Sequence, residues 1–160
     1  QFNPDDAGDQ KRVLKWSAPL MPENRAKSAR LIRAAECGLT DTDYPSISIG
    51  NFSSHRAVSQ KLGRDLSVLR WRTNIWLDGL APWEEFDWIG RIIEIGEVQF
   101  EICERVQRCL ATTANPETGL RDADTLGILQ TWDHQDFCVY ARVLNAGTIH
   151  LNDSAKAPNP

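Results

Sequence analysis

Ile92-Ile93-Glu94-Ile95, then Gly96-Glu97, then Val98-Gln99-Phe100-Glu101-Ile102 is the stretch that most restricts the fold. A two-residue Gly-x turn suits the primed geometry that matches strand twist, so the two apolar runs close into a hairpin with Val98, Phe100 and Ile102 directed inward. The remainder of a sheet has to come from other short alternating runs. Pro45-Ser46-Ile47-Ser48-Ile49 alternates Ile with Ser and is broken at Gly50-Asn51. Ser67 to Leu77 places Trp71, Thr73, Ile75 and Leu77 on one face and Arg70, Arg72, Asn74 and Trp76 on the other. Phe137, Val139, Ala141 and Val143 alternate with Cys138, Tyr140 and Arg142, and a last strand is expected after the turn at Asn145-Ala146-Gly147.

Helical signals between these runs are short. Ser53 or Ser54 can cap a helix through Ala57, Val58 and Leu62 that Gly63 closes. Asp122 to Trp132 repeats at helical spacing through Ala123, Leu126, Leu129 and Gln130. Pro82-Trp83-Glu84-Glu85-Phe86-Asp87-Trp88 is too aromatic for a solvated loop, so its rings are expected to plug one end of the core while its glutamates face water. Toward the start, residues 1–12 read as a tail, Val13 to Trp16 as the beginning of a helix that Pro19 and Pro22 interrupt, and Ser28 to Glu36 as helix or strand ended by Gly38.

The sum is a mainly β fold with some α (α+β): an antiparallel, barrel-like sheet with a few short helices. The expected organisation is a tail and connecting segment over 1–43, one domain over 44–153, and a disordered tail over 154–160. A length of 160 residues with 41% hydrophobic content supports a single core. The first residue is not methionine and the first dozen residues are polar and turn-prone, so the expectation is a chain that begins partway through a longer protein or after processing.

Charge and cysteine usage narrow the partners. A formal charge of -4 and a pI near 5.4 disfavour nucleic acid and anionic membranes. No apolar run approaches the roughly 18 residues of a membrane span, and the start lacks the parts of a signal peptide, so a cytoplasmic location is expected. Cys37, Cys103, Cys109 and Cys138 form no Cys-x-x-Cys pair, and neither they nor His55, His134 and His150 show zinc-ligand spacing. The phosphate loops of ordinary nucleotide enzymes are absent.

Cys109 is the residue with chemistry in its setting. Arg105 and Arg108 precede it and Thr112-Thr113-Ala114-Asn115-Pro116-Glu117-Thr118-Gly119 follows. Electropositive neighbours favour thiolate, which makes a nucleophile or a soft-metal ligand, whereas the bland alternative, a cysteine filling the core, fits Cys103 better. Arg70, Arg72 and Asn74 on one strand face could hold a phosphate or be a solvated outer face. Ser48, Asn51, Ser53 and Ser54 surround a helix start where an anion is favoured, although capping accounts for one of them. His134-Gln135-Asp136 reads as a polar turn, and Glu84, Glu85 and Asp87 as surface carboxylates rather than a hydrolytic pair.

Taken together, Trp71-Arg72-Thr73-Asn74-Ile75 through Trp88, the Ile95-Gly96 hairpin, and Arg108-Cys109 with Thr-Thr-x-Asn-Pro-x-Thr-Gly resemble the MOSC domain, over roughly residues 40 to 153. The chain also resembles the C-terminal half of two-domain bacterial relatives of the mitochondrial amidoxime reducing component, in which a smaller β-rich domain comes first and adds to the cofactor pocket. The resemblance implies a molybdenum cofactor, with Cys109 as the single protein ligand of molybdenum. It implies that Arg72, Asn74 and Arg108 hold the pterin and its phosphate, that Ser48 and Asn51 lie in a second cofactor-binding loop, and that Thr112, Thr113 and Asn115 shape the pocket. The implied activity is reduction of a small N-hydroxylated substrate, with electrons from a ferredoxin-, flavin- or cytochrome-type protein. An alternative within the family is a sulfur-carrier or cofactor-delivery module that uses a Cys109 persulfide, and a third reading is a fragment whose cysteines only fill the core. Thr73, Asn115 and Cys138 stand where relatives often have proline, aspartate and glycine.

Overall fold

The computed structural model describes residues 2–33 and 40–156, which divide between two compact units, one over 1–39 and one from residue 40 onward. In the first unit, helix α1 spans Ala7–Ser17 and a 3-10 segment, Ala18–Leu20, follows it. The helix starts well before Val13, so the expected tail over 1–12 is helical from Ala7. Its beginning is set by capping rather than by apolar spacing: the Asp6 side chain accepts the Asp9 N–H, and Asp9 adds a carboxylate to the first turn. Residues 26–33 carry no helix or strand. The remainder of the Ser28 to Glu36 run, and Gly38, lie outside the described residues.

The second unit is a six-stranded sheet in the order β2-β1-β5-β4-β3-β6, curled nearly into a barrel. The strands are β1 Ile47–Asn51, β2 Ile75–Leu77, β3 Ile92–Ile95, β4 Val98–Gln107, β5 Asp136–Val143 and β6 Ala155–Lys156. The hairpin forms as its turn demands, pairing Ile95 with Val98 and Ile92 with Glu101. The sheet is mixed rather than wholly antiparallel, because β1 and β2 run parallel. Parallel neighbours need a crossover, and helix α2, Phe52–Leu62, begins that connection. Gly63, with φ 74°, closes the helix in the left-handed conformation that glycine tolerates.

Several local expectations are corrected. Gly50 and Asn51 belong to β1 instead of ending it, and Asn51, not Ser53 or Ser54, caps α2 by accepting the Ser53 N–H at 2.8 Å. Only Ile75–Leu77 of the Ser67 to Leu77 run is strand. Val68–Trp71 is a 3-10 segment started by the Ser67 side chain and closed by Arg72 at φ 53°. Spacing of three (Val68 to Trp71) overrides spacing of two there because Trp71 is fully buried against Phe137, with ring centroids 3.8 Å apart. No strand follows Asn145-Ala146-Gly147 directly; the chain pairs again at Ala155 and Lys156, inside the expected disordered tail. Cys103 is half-buried, and among the described residues the thiol in the core is that of Cys138.

Two apolar clusters result. One joins Ile49, Ile93, Ile95, Phe100, Ile102 and Val139 across the sheet. The other joins Val58 of α2, Trp71, Val106, Phe137, Cys138 and Leu129 of helix α3, Thr125–Gln130. Strand β5 carries one extra residue between its pairings Gln107 with Asp136 and Arg105 with Val139. Cys138 sits in that bulge at φ 71°, a conformation that suits glycine.

Candidate functional site

Residues alternate across β1, so Ser48 and Gly50 lead to one side while Ile49 and Asn51 lead to the other. On the Asn51 side the polar groups satisfy one another. Asn51 Nδ2 donates to the Ala81 carbonyl at 2.7 Å and to Glu85 Oε2 at 2.8 Å. The Ser54 hydroxyl reaches the Glu85 oxygens at 2.8 and 3.1 Å and accepts the Trp83 N–H at 2.8 Å. Glu85 is 0% exposed, so it does not face water as its sequence setting suggested. Burial pushes its carboxyl above the usual range against the opposing pull of the Asn51 and Ser54 hydrogen bonds. Asn51 is committed to this network and to capping α2. Its place is in a strand, not in a loop beside Ser48.

The Ser48 side is built differently. Asn74 Oδ1 accepts from both the Ser48 N–H (2.9 Å) and the Ser48 hydroxyl (3.0 Å), and the Asn74 N–H donates to the Ser48 carbonyl at 3.1 Å. Arg108 is planted by two hydrogen bonds of 2.8 Å, from Nε to the Phe137 carbonyl and from Nη1 to the Trp71 carbonyl. Its Nη2 is buried and has no nitrogen or oxygen acceptor, although the guanidinium is near enough to the Cys138 thiol to act on it as a donor. The Cys138 thiol lies 3.0 Å from the Thr73 hydroxyl, and burial pushes it up to about 11, so it stays protonated.

Cys109 is exposed at the head of the 3-10 segment Leu110–Thr113. Its carbonyl accepts from the Thr112 N–H and hydroxyl, at 3.2 and 3.1 Å. Thr112 and Thr113 are buried, and their hydroxyls are spent on Thr125 and on the Leu110 carbonyl. The loop is clamped from below by Arg70, whose Nη1 donates to the Thr113 and Thr112 carbonyls at 3.0 and 3.4 Å and whose Nη2 pairs with Asp122. Asp122 also binds Arg64 and Asn115, each at 3.0 Å. The Arg70 hydrogen bond, ahead of that from Asn115, draws its carboxyl down to about 2. Asn115 Oδ1 accepts the Glu117 N–H at 2.9 Å, which sets the turn after the loop.

Residues 70–74 therefore link the parts of the site. Arg70 holds the Cys109 loop, Trp71 takes Arg108, Asn74 joins Ser48, and exposed Arg72 stands between them. The expected row of Arg70, Arg72 and Asn74 on one strand face does not exist, because 70 and 71 are 3-10 and Arg70 is a buried loop clamp. Arg70, expected to hold a phosphate or face solvent, is a buried clamp, Glu85, expected at the surface, is buried, and the pairing role of Asp122 is not marked in the sequence. Spacing of three ahead of Trp71 was the available signal for Arg70, whereas Asp122 and Glu85 find partners dozens of residues away. Arg105 is engaged by Asp136 at 3.8 Å and lies over the Phe86 ring.

Among the described residues, no three His, Cys, Asp or Glu side chains are grouped to hold a metal ion, and no helix is long and apolar enough to cross a membrane. The Cys109 thiol can supply one soft ligand. The Arg108 Nη2 donor can complete its hydrogen bonding on an anion or a polar heterocycle, which fits a phosphate-bearing pterin.

The family model described as "MOSC domain" matches residues 41–156. The chain is 25% identical over 148 residues to the mouse mitochondrial amidoxime-reducing component 1, covering 82% of this chain and 43% of that protein. It is 33% identical over 129 residues to the molybdenum cofactor sulfurase of Drosophila grimshawi, covering 76% of this chain and 16% of the other. The chain thus spans less than half the length of either relative. The crystal structure of YiiM from Geobacillus stearothermophilus shares the fold, with a TM-score of 0.53 at 21% identity over 71% of this chain and 54% of that one.

Proposed function

The chain belongs to the MOSC domain family, and from that premise we propose that it binds the molybdenum cofactor, with the Cys109 thiolate as the protein ligand of the metal. When bound, the cofactor would supply two-electron reduction of a small N-hydroxylated substrate, whose oxygen leaves as water. The chain's own residues present and orient. Cys109 stands exposed on a loop that Arg70 and Thr112 keep in place, so its thiol is offered without a folding step. Arg72 and Arg108 supply guanidinium donors for a phosphate, and Ser48 with Asn74 braces the adjoining backbone. The observation that carries this reading is the buried, unpartnered Nη2 of Arg108 one residue before an exposed cysteine. A ferredoxin-, flavin- or cytochrome-type protein would return the electrons.

The test is the molybdenum and pterin content of the protein, expressed with any N-terminal region its gene encodes, beside Cys109→Ala. Near-stoichiometric metal that disappears in a variant of unchanged melting temperature is the expected result. Full retention of metal by Cys109→Ala overturns the assignment. The exposure of Cys109, together with the sulfurase relative, favours a second reading in which the thiol carries a persulfide. One sulfur added to Cys109 by mass spectrometry, in protein that holds no metal, would decide for it.

A further inference from the structure

A cavity of about 650 Å³ opens where the chain after α2 folds back on the helix, with Arg56, Ser59 and Gln60 on the helix side and Arg64 and Asp65 on the loop side. That volume falls within the range of small-molecule sites, about 300–1,000 Å³. Arg56, Ser59 and Gln60 share one helix face because they are spaced by three and four.

The backbone of this corner is fixed. The Gly63 N–H donates to the Gln60 carbonyl at 3.1 Å and the Arg64 N–H to the Ser59 carbonyl at 3.2 Å, so two of the last helix carbonyls are already spent. His55, also in the lining, is anchored through Nδ1, which accepts the Trp71 indole N–H at 3.0 Å.

The side chains are not committed in the same way. Ser59 Oγ is buried without a partner, although a helical serine can donate to the carbonyl four residues back. The Gln60 amide and the Asp65 carboxylate are exposed and make no hydrogen bond or ion pair among the described residues. Arg56 spends only Nη2, on Asp78 at 2.7 Å and on the Ser53 hydroxyl at 2.9 Å. Arg64 spends Nη1 and Nη2 on Asp122 and keeps Nε. The two arginine side chains are 51% and 47% exposed, and ion pairs in such settings hold weakly and exchange readily.

These groups define what fits. Two guanidinium groups with donors left to give suit an oxyanion that offers several acceptor oxygens, as a phosphate group does. A bare phosphate would leave most of the volume empty. The remaining lining presents an amide and a carboxylate, which suit hydroxyl groups, and its one ring, that of His55, is only 7% exposed, so a flat base has no face to stack on.

We propose that this corner of α2 binds a small phosphorylated polyhydroxy compound, with its phosphate on Arg56 and Arg64 and its hydroxyls on Gln60 and Asp65. The site shares no lining residue with Cys109 or Arg108, so it stands whether or not the chain holds a molybdenum cofactor.

Ribose 5-phosphate, inorganic phosphate and ribose titrated into the full chain at constant ionic strength, followed through the Gly63 and Leu66 amide signals by NMR, test it without any metal. Ribose 5-phosphate should bind about tenfold tighter than inorganic phosphate, and ribose should leave the signals in place. Arg56→Ala and Arg64→Ala should each weaken ribose 5-phosphate about tenfold, while Asp78→Asn, which frees Arg56, should tighten it about threefold. Asp65→Asn should divide the two ligands. It removes a hydroxyl acceptor and weakens ribose 5-phosphate about threefold, yet it removes a like charge and tightens inorganic phosphate. The two Asn variants alter exposed carboxylates only, so they decide the matter even if an arginine variant unfolds. Shifts that do not saturate, inorganic phosphate binding as tightly as ribose 5-phosphate, or affinity for ribose 5-phosphate unchanged in both Asn variants or in both arginine variants overturns the proposal.

Discussion

The two sides of β1 carry polar groups of similar composition and opposite completeness. On the Asn51 side, an amide, a hydroxyl and a carboxylate are buried together with each group paired. On the Ser48 side, the Ser48 and Asn74 contacts are complete, but Arg108 keeps a buried donor without an acceptor, and Arg72 and Cys109 are exposed. An unmet buried donor costs about 1–3 kcal/mol, so one that a fold retains marks a place where a ligand would finish the bonding. A closed network of the same residue types marks architecture. Neither neighbourhood composition nor an unpaired donor by itself separates the two, since Arg70 Nε and Ser59 Oγ are also buried without a partner; what sets Arg108 apart is the exposed Cys109 and Arg72 beside it.

Breaking the closed side should have the largest effect. Glu85→Ala removes an acceptor of Asn51, strips the Ser54 hydroxyl of its acceptor and opens a cavity, for an expected loss of about 3–4 kcal/mol in urea unfolding. The two sides should also respond to pH with opposite signs. The carboxyl of Glu85 is raised by burial, so its contribution is full below the ordinary value of 4.5 and is lost as pH climbs through the folded value. That of Asp122 is lowered by Arg70, so its contribution is full above 3.8 and is lost as pH falls toward about 2. Stability against pH should flatten on the rising side in Glu85→Gln and on the acid side in Asp122→Asn. Flattening on the same side in both would mean that the two networks are not distinct.

A smaller effect is expected from the clamp beneath the open side. Arg70→Met leaves the Thr112 and Thr113 carbonyls without their donor, but Asp122 keeps Arg64 and Asn115, so the loss should be about 2 kcal/mol. Hydrogen exchange should quicken at the Thr112 amide, which is tied to the Cys109 carbonyl, and stay unchanged at the Ser53 amide, which Asn51 holds. Equal quickening at both would merge the regions that the hydrogen bonds keep apart.

Local chemistry made the sheet legible and left the site partly hidden. The Gly96-Glu97 turn and the alternation of Val139 with Ala141 specify β3, β4 and most of β5 because turn geometry and side-chain period act within a few residues, whereas the bulge at Cys138 breaks the expected alternation and sends Phe137 to the other cluster. The parallel β1/β2 pair is not written in either run, since it depends on where α2 returns the chain. Phe86 and Trp88 enter the core as their aromaticity suggests, yet Glu85 between them is buried because its partners, Asn51 and Ser54, arrive from more than thirty residues upstream. Cys109 stands out by its arginines and is exposed, and Ser48 does meet Asn74. Asn51 shares the polar segment of Ser48 but is sent to the other face by strand alternation, which a loop assignment conceals.

The finest distinction lies at Cys138, on the open side, where two substitutions should reverse their usual order. At φ 71° a side chain carries a left-handed strain of about 1–2 kcal/mol that glycine escapes. The thiol offsets part of this by filling the space next to Gly50, where a Cβ would stand 2.8 Å from Cys138 Sγ, and by meeting the Thr73 hydroxyl. Cys138→Ala loses that contact and keeps the strain. Cys138→Gly loses the contact, adds freedom to the unfolded chain worth about 0.4–1 kcal/mol, and sheds the strain. The glycine variant should therefore be the more stable of the two by about 0.5–1 kcal/mol, although in most strands alanine is the gentler deletion. If alanine proves equal or better in paired denaturation curves, the bulge imposes no strain.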